Sequence, residues 1–225
     1  AMTLAQLIAQ FRREADDAVA PYFFSDSAVT DWLNEAVDEA CVRSLLIKDW
    51  STSAVCNIAI TAGTSTYSTH ASIINITRAE FFATGDAETD GDVLGQVTEH
   101  YLDAREAGWR TRTERPVFYI HHDTKIRFGC LPETDGTLKL EVNRLPLAPM
   151  ALTTDTPEFA AKHHRHLVAW ALHRAFSIPD TEVIDPARSS RSEAEFTRMF
   201  GLRMDATIRR EHETDVPHHN RAVWL

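Results

Sequence analysis

The stretch Ser25–Ser68, SDSAVTDWLNEAVDEACVRSLLIKDWSTSAVCNIAITAGTSTYS, changes period halfway through. Up to Trp50, apolar residues recur every three or four positions. Val29, Trp32, Leu33, Ala36, Val37, Ala40, Cys41 and Leu45 fall on one helical face. Asp31, Glu35, Asp38, Glu39 and Arg43 fall mostly on the other. Ser25 or Ser27 can cap this helix. After Trp50 the period drops to two, and AVCNIAITAGTSTYS alternates around a Gly turn, as strands do.

Working toward the N-terminus, residues 3–19 carry one apolar stripe (Leu4, Leu7, Ile8, Phe11, Ala15), with Pro21 as the stop. This helix and the next, short-linked and each single-faced, should pair as a hairpin. Toward the C-terminus, SIINITRAEFFATG reads as a strand and GDAETDGDVLG as an acidic loop. VTEHYLDAREAGW reads as a short helix; RPVFYI, KIRFGCL and GTLKLEVNRLPL read as strands of an antiparallel meander. Helical period returns at Thr156, with Pro157 in a first turn, and again in DPARSSRSEAEFTRMFGLRMDATIRRE, with Pro186 early. HETDVPHHNRAVWL closes as an extended tail.

The expected class is therefore α+β: N- and C-terminal helix pairs forming a helical bundle, with an inserted antiparallel β region. The expected organisation is a helical domain from residues 1–50 and 150–208, a β domain with one short helix over 51–149, and a tail over 209–225.

Bulk properties exclude several classes. The 225 residues are 44% hydrophobic and 25% charged, an ordinary globular composition. The net charge is -10, which repels phosphate backbones and argues against clamping DNA. Three widely separated cysteines, Cys41, Cys56 and Cys130, give neither a disulfide framework nor a zinc ribbon. No apolar run is long enough to span a membrane, and the N-terminal stretch lacks a signal-peptide core.

Candidate chemistry is weak throughout. His163 and His166 share a helical face, but no further ligand completes a set, and His173 lies about 10 Å farther along the helix. DAETDGDVLGQV resembles a calcium loop, but its twelfth position is Val97 rather than Glu. No phosphate-loop, dinucleotide, zinc-protease or serine-elbow motif occurs. The polar run His121, His122, Asp123, Thr124 reads as the tip of a hairpin. The expectation is no catalytic residues, no metal and no cofactor.

Three segments together resemble the head-to-tail adaptor (connector) family of tailed bacteriophages, especially the short-tailed type. They are VTDWLNEAVDEACVRSLLIKDW, YLDAREAGWRTRTERPVFYIHHDTKIRFGCLPETDGTLKLEVNRLPLAP, and TPEFAAKHHRHLVAWALHRAFSIPDTEVIDPARSSRSEAEFTRMFG. The first resembles the family's helix with a W/L-N-x-A core. The second has its short helix, Trp109, the Pro116 turn before Tyr119, Leu131-Pro132, and a last strand ending Arg144-Leu145-Pro146. The third has the P-E/D start of the C-terminal helix pair, then H-x-x-L-x-x-W/Y-A, and the closing F-x-x-x-x-G. Thr113-Glu114-Arg115 replaces the Gly often found before that Pro.

The resemblance implies a structural virion protein of the neck, made in the host cytoplasm and not an enzyme. Its implied partners are the portal protein, tail or nozzle proteins and further copies of itself in a ring, usually of twelve. Double-stranded DNA would pass through without specific binding. On that reading Glu35, Asp38, Arg43, Arg165 and Arg174 are subunit-interface candidates. Val216, Val223, Trp224 and Leu225 form a docking tail for the portal or an adjacent subunit. His121, His122, Asp123, Asp86 and Asp90 are candidate contacts for tail proteins. The alternatives are a generic oligomeric interaction module and a metalloenzyme drawing on His163, His166 and His121.

Overall fold

The structure is a computed structural model that describes residues 1–179 and 184–203. In chain order the elements are α1 (Leu4–Ala15), α2 (Asp26–Ser44), β1 (Lys48–Asp49), α3 (Ser53–Cys56), β2 (Asn57–Ile60), β3 (Thr66–Ser68) and β4 (Ile73–Ala83). There follow β5 (Asp92–Val93), β6 (Gly95–Gln96), α4 (Glu99–Arg105), β7 (Thr113–Glu114), β8 (Phe118–His122), β9 (Lys125–Phe128), β10 (Leu131–Pro132) and β11 (Gly136–Arg144). A 3-10 helix (Ala161–His166), α5 (Leu167–Phe176) and α6 (Pro186–Phe200) complete the set. The class is α+β. The described residues divide into two compact units, Ala1–Lys48 with Asn143–Arg203, and Asp49–Val142.

The first unit is helical. α1 opens with a capping box: Thr3 Oγ1 accepts the Gln6 N–H at 3.3 Å, and the Gln6 side chain accepts the Thr3 N–H at 3.0 Å. It ends at Ala15, four residues before the expected end and well short of Pro21. Asp16 takes the left-handed conformation, φ 61°, and Asp17 turns inward. There Asp17 meets the Arg12 guanidinium at 2.7 Å and accepts the Phe23 N–H at 2.7 Å. Arg12 also binds Asp26 and donates to the Phe24 carbonyl at 3.1 Å. One buried arginine thus organises the whole connection into α2.

In α2 it is Ser25 that caps, accepting the Ala28 N–H at 3.2 Å. Val29, Leu33, Ala36, Val37, Ala40 and Cys41 are buried as expected. Leu45 is not on that stripe. It is the left-handed C-cap, φ 50°, and is 39% exposed. Glu39 and Arg43 depart in the opposite sense: both side chains are buried rather than facing water.

α5 is buried at Leu167, Val168, Ala169, Ala171, Leu172, Ala175 and Phe176, nearly all round. It therefore occupies the centre of its unit, packed on α6, α2 and α1. The helix expected from Thr156 begins only at Leu167. Residues 156–160 are irregular, and Ala161–His166 is the tighter 3-10 form. The side chain of His164 explains the difference. It is 1% exposed, with Nε2 2.9 Å from the Phe159 carbonyl and Nδ1 accepting the Met2 N–H at 3.1 Å. That cross-link pins the segment ahead of α5.

The second unit is built on sheets. One has the order β1-β11-β4-β5, with β2 also paired to β11; another runs β3-β9-β8-β6. Their facing side chains, among them Ile73, Phe81, Tyr119, Ile126, Phe128 and Leu138, make one core. Leu102 of α4 closes a smaller one with Trp109, Ile120 and Val97.

Three sequence expectations change here. First, the arrangement is not a simple meander. β6 pairs parallel to β8, and β7 parallel to β10. Parallel partners require a crossover, and α4 with its flanking loops supplies the one from β6 to β8. Second, the run read as a strand at Ala54–Cys56 is the helical turn α3. Val55 and Cys56 are adjacent and both buried, which an alternating strand cannot achieve. Third, the hairpin loop is two residues, Asp123 and Thr124. His121 and His122 continue the ladder opposite Ile126 and Lys125.

Candidate functional site

Among the described residues, no group of three His, Cys, Asp or Glu side chains is placed to hold a metal ion. His163 packs against the rings of Phe159 and Phe200, at 6.3 and 6.0 Å. Burial, then nearby Lys162, lowers its pKa; burial, then nearby Arg165, lowers that of His166. Burial pushes the Cys41 thiol to about 12 and the Cys130 thiol to about 11, so neither is a thiolate nucleophile at neutral pH.

What the helical unit offers instead is fixed, interlocked surface. Asn34 of α2 bonds Met150 in both senses: Nδ2 donates to its carbonyl at 3.0 Å, and Oδ1 accepts its N–H at 2.9 Å. The Trp-Leu-Asn-x-Ala run therefore ties α2 to the chain returning from β11. The Arg43 guanidinium binds Glu39 at 2.9 Å and donates to Thr197 Oγ1 at 3.0 Å and the Gly201 carbonyl at 3.2 Å. It also lies 5.2 Å from the ring centres of Trp170 and Phe196. Arg43, expected on an outer face, clamps α2 to α6 from inside.

The other interface candidates are at the surface. Glu35 and Arg174 pair with each other at 3.0 Å, within one chain and between α2 and α5. Asp38 is exposed at its edge, although desolvation by its surroundings raises its pKa. Arg165 is exposed on the 3-10 helix. The docking-tail residues Val216, Val223, Trp224 and Leu225 lie outside the described residues.

In the β unit, His121 is half-buried in β8, while His122 and Asp123 are exposed at the hairpin end. Asp86 is tied down. It accepts the Ala83 N–H at 2.9 Å and the Arg115 guanidinium at 2.7 Å, both of which lower its pKa. Arg115 also holds Asp92, so it gathers the acidic loop. Asp90 is exposed.

The model of the SU10 adaptor protein family matches residues 2–221, nearly the whole chain. The chain belongs to the SU10 adaptor protein family. No curated protein matches it. As a member of an adaptor family it is a phage structural protein, and the family implies interaction with portal and tail proteins and a place in the virion neck. No helix among the described residues is long and apolar enough to cross a membrane.

One feature of this adaptor lay outside the sequence reading. A cleft of about 460 Å³ opens where α1 ends and α6 begins, lined by Phe23, Phe24, Phe176, Ile184 and the carboxylates of Asp16 and Asp185. The signal for it was the Tyr22-Phe23-Phe24 run after Pro21, three aromatics where a turn is expected to be polar.

Proposed function

We propose that the protein forms a ring between portal and tail, of twelve copies, and continues the DNA channel. The family match over residues 2–221 carries this reading. The helical part, 1–50 with 150–208, would join the copies as a bundle, with Glu35, Asp38, Arg165 and Arg174 near the contacts. The β part, 51–149, would meet tail proteins through His122, Asp123 and Asp90. A net charge of -10 on every copy supports an electronegative lumen past which DNA slides during ejection. The tail, 209–225, would dock on the portal through Val216, Val223, Trp224 and Leu225. Trp is a frequent interface anchor.

The same match weighs against a generic interaction module and against a His-dependent metalloenzyme. The test is native mass measurement of the full chain mixed with purified portal protein. A closed ring on the portal is expected, with attachment weakened on deletion of residues 216–225. A chain that stays monomeric in the presence of portal would overturn the ring. Unchanged attachment of the truncated chain would overturn the tail's role.

A further inference from the structure

We infer that the ring contact is head-to-tail between the two ends of the helical unit: the acidic apolar cleft of one copy receives the Met199–Leu202–Arg203 corner of the next. This rests on the ring reading above.

α2 and α6 run side by side in the same direction. Phe24, just ahead of α2, and Asp185 and Pro186, at the start of α6, line the cleft together, and Arg188 of α6 donates there to the Glu14 carbonyl at the end of α1 at 2.8 Å. The C-termini of α2 and α6 meet at the other end, where Ser44 donates to the Phe200 carbonyl at 2.7 Å. The two ends differ in shape. At the cleft end Phe23 is 57% exposed and Ile184 49%, around a concavity of about 460 Å³. At the other end the chain leaves α6 through Gly201, φ 84°, and Leu202 projects with 80% of its surface exposed beside Met199. One end is a concavity with apolar walls, and the other presents an exposed aliphatic side chain.

Charge is complementary too. The cleft end gathers Asp16, Asp17, Asp26 and Asp185, against Arg12 and Arg188. The corner carries exposed Arg198 and Arg203; Glu39 is the one buried acid there, shared by Arg43 at 2.9 Å and Arg203 at 3.9 Å, so the arginines outnumber it. Opposite ends of one unit that fit each other make a heterologous contact, the kind that closes into a ring when repeated about an axis. A two-fold contact would instead bring like ends, and like charges, together.

Paired cysteines test this in the full chain. The 19-residue α2 is about 28 Å long, so cysteines at the two ends are too far apart to join within one molecule. The three native cysteines are buried. Phe23→Cys with Leu202→Cys, and separately Ile184→Cys with Met199→Cys, should give a ladder of disulfide-linked oligomers on portal-triggered assembly. Each single variant should give no ladder. Leu202→Asp should raise the concentration for assembly by about tenfold or more, the loss of one buried leucine. Rings that form while neither pair gives a ladder would overturn the inference and leave the ring standing. No ring at all with portal present would overturn both. Cross-linking of Phe23→Cys to Trp224→Cys in its place would show that the tail fills the cleft, and would also overturn it.

Discussion

Arg43 shows how far a single side chain departs from its pattern in the sequence. Helical spacing puts it on the polar face of α2, yet its side chain is 6% exposed, held by Glu39, Thr197 and two aromatic rings. Apart from Glu39, one helical turn back, its partners lie more than a hundred residues away, so no local pattern could announce them. Arg43→Ala leaves the buried Glu39 carboxylate without its closest guanidinium and should cost about 3–5 kcal/mol, read from the denaturation midpoint. Arg43→Lys should recover only part, since an ammonium lacks the planar fork. His163 and His166 give a pH dependence at the same scale. Both have pKa values lowered from the ordinary 6.5 in the folded chain. Below 6.5 the unfolded chain therefore binds more protons than the folded one. Their contribution is intact above that value and is lost as pH falls through the window beneath it. Denaturation midpoints on the two sides of pH 6.5 should show the drop. It should shrink when both residues are replaced by Gln.

At the scale of elements, legibility followed local physics. α2 could be read because its cap, stripe and length are all encoded within twenty residues. β4 could be read because it is a long β-branched and aromatic run, with Ile73, Ile76, Ala79 and Phe81 buried. The α3 turn, the 3-10 helix before α5 and the parallel pairing of β6 with β8 could not. The 3-10 helix and the parallel pairing depend on contacts distant in sequence, Met2 binding His164 and the α4 crossover, while α3 follows a local cap with no apolar period, Asp49 accepting the Ser51 and Thr52 N–H groups. Gly136, at the start of β11, marks another such constraint. A Cβ there would sit 2.2 Å from the Phe82 carbonyl and 2.8 Å from the Phe81 ring. Gly136→Ala should cost about 1–3 kcal/mol through overpacking. Scanning calorimetry should find the transition lowered by about 2–4 °C for each kcal/mol.

For the whole molecule, α+β class and adaptor membership were legible together. The order of helix pair, strands with a short helix, and second helix pair is a property of the entire chain, and it is what the family match covers. The candidate surfaces were less legible. Periodicity tells a wet face from a dry one, but it cannot tell that Glu35 and Arg174 satisfy each other, or that the end of α1 and the start of α6 enclose a cleft. As an adaptor the chain is a joint, and its buried residues fix each of its two units. Electron microscopy of particles from phage lacking this protein tests that most directly. DNA-packaged heads separated from finished tails are predicted, with joining restored when purified protein is added. Normal, tail-bearing virions in its absence would contradict the account.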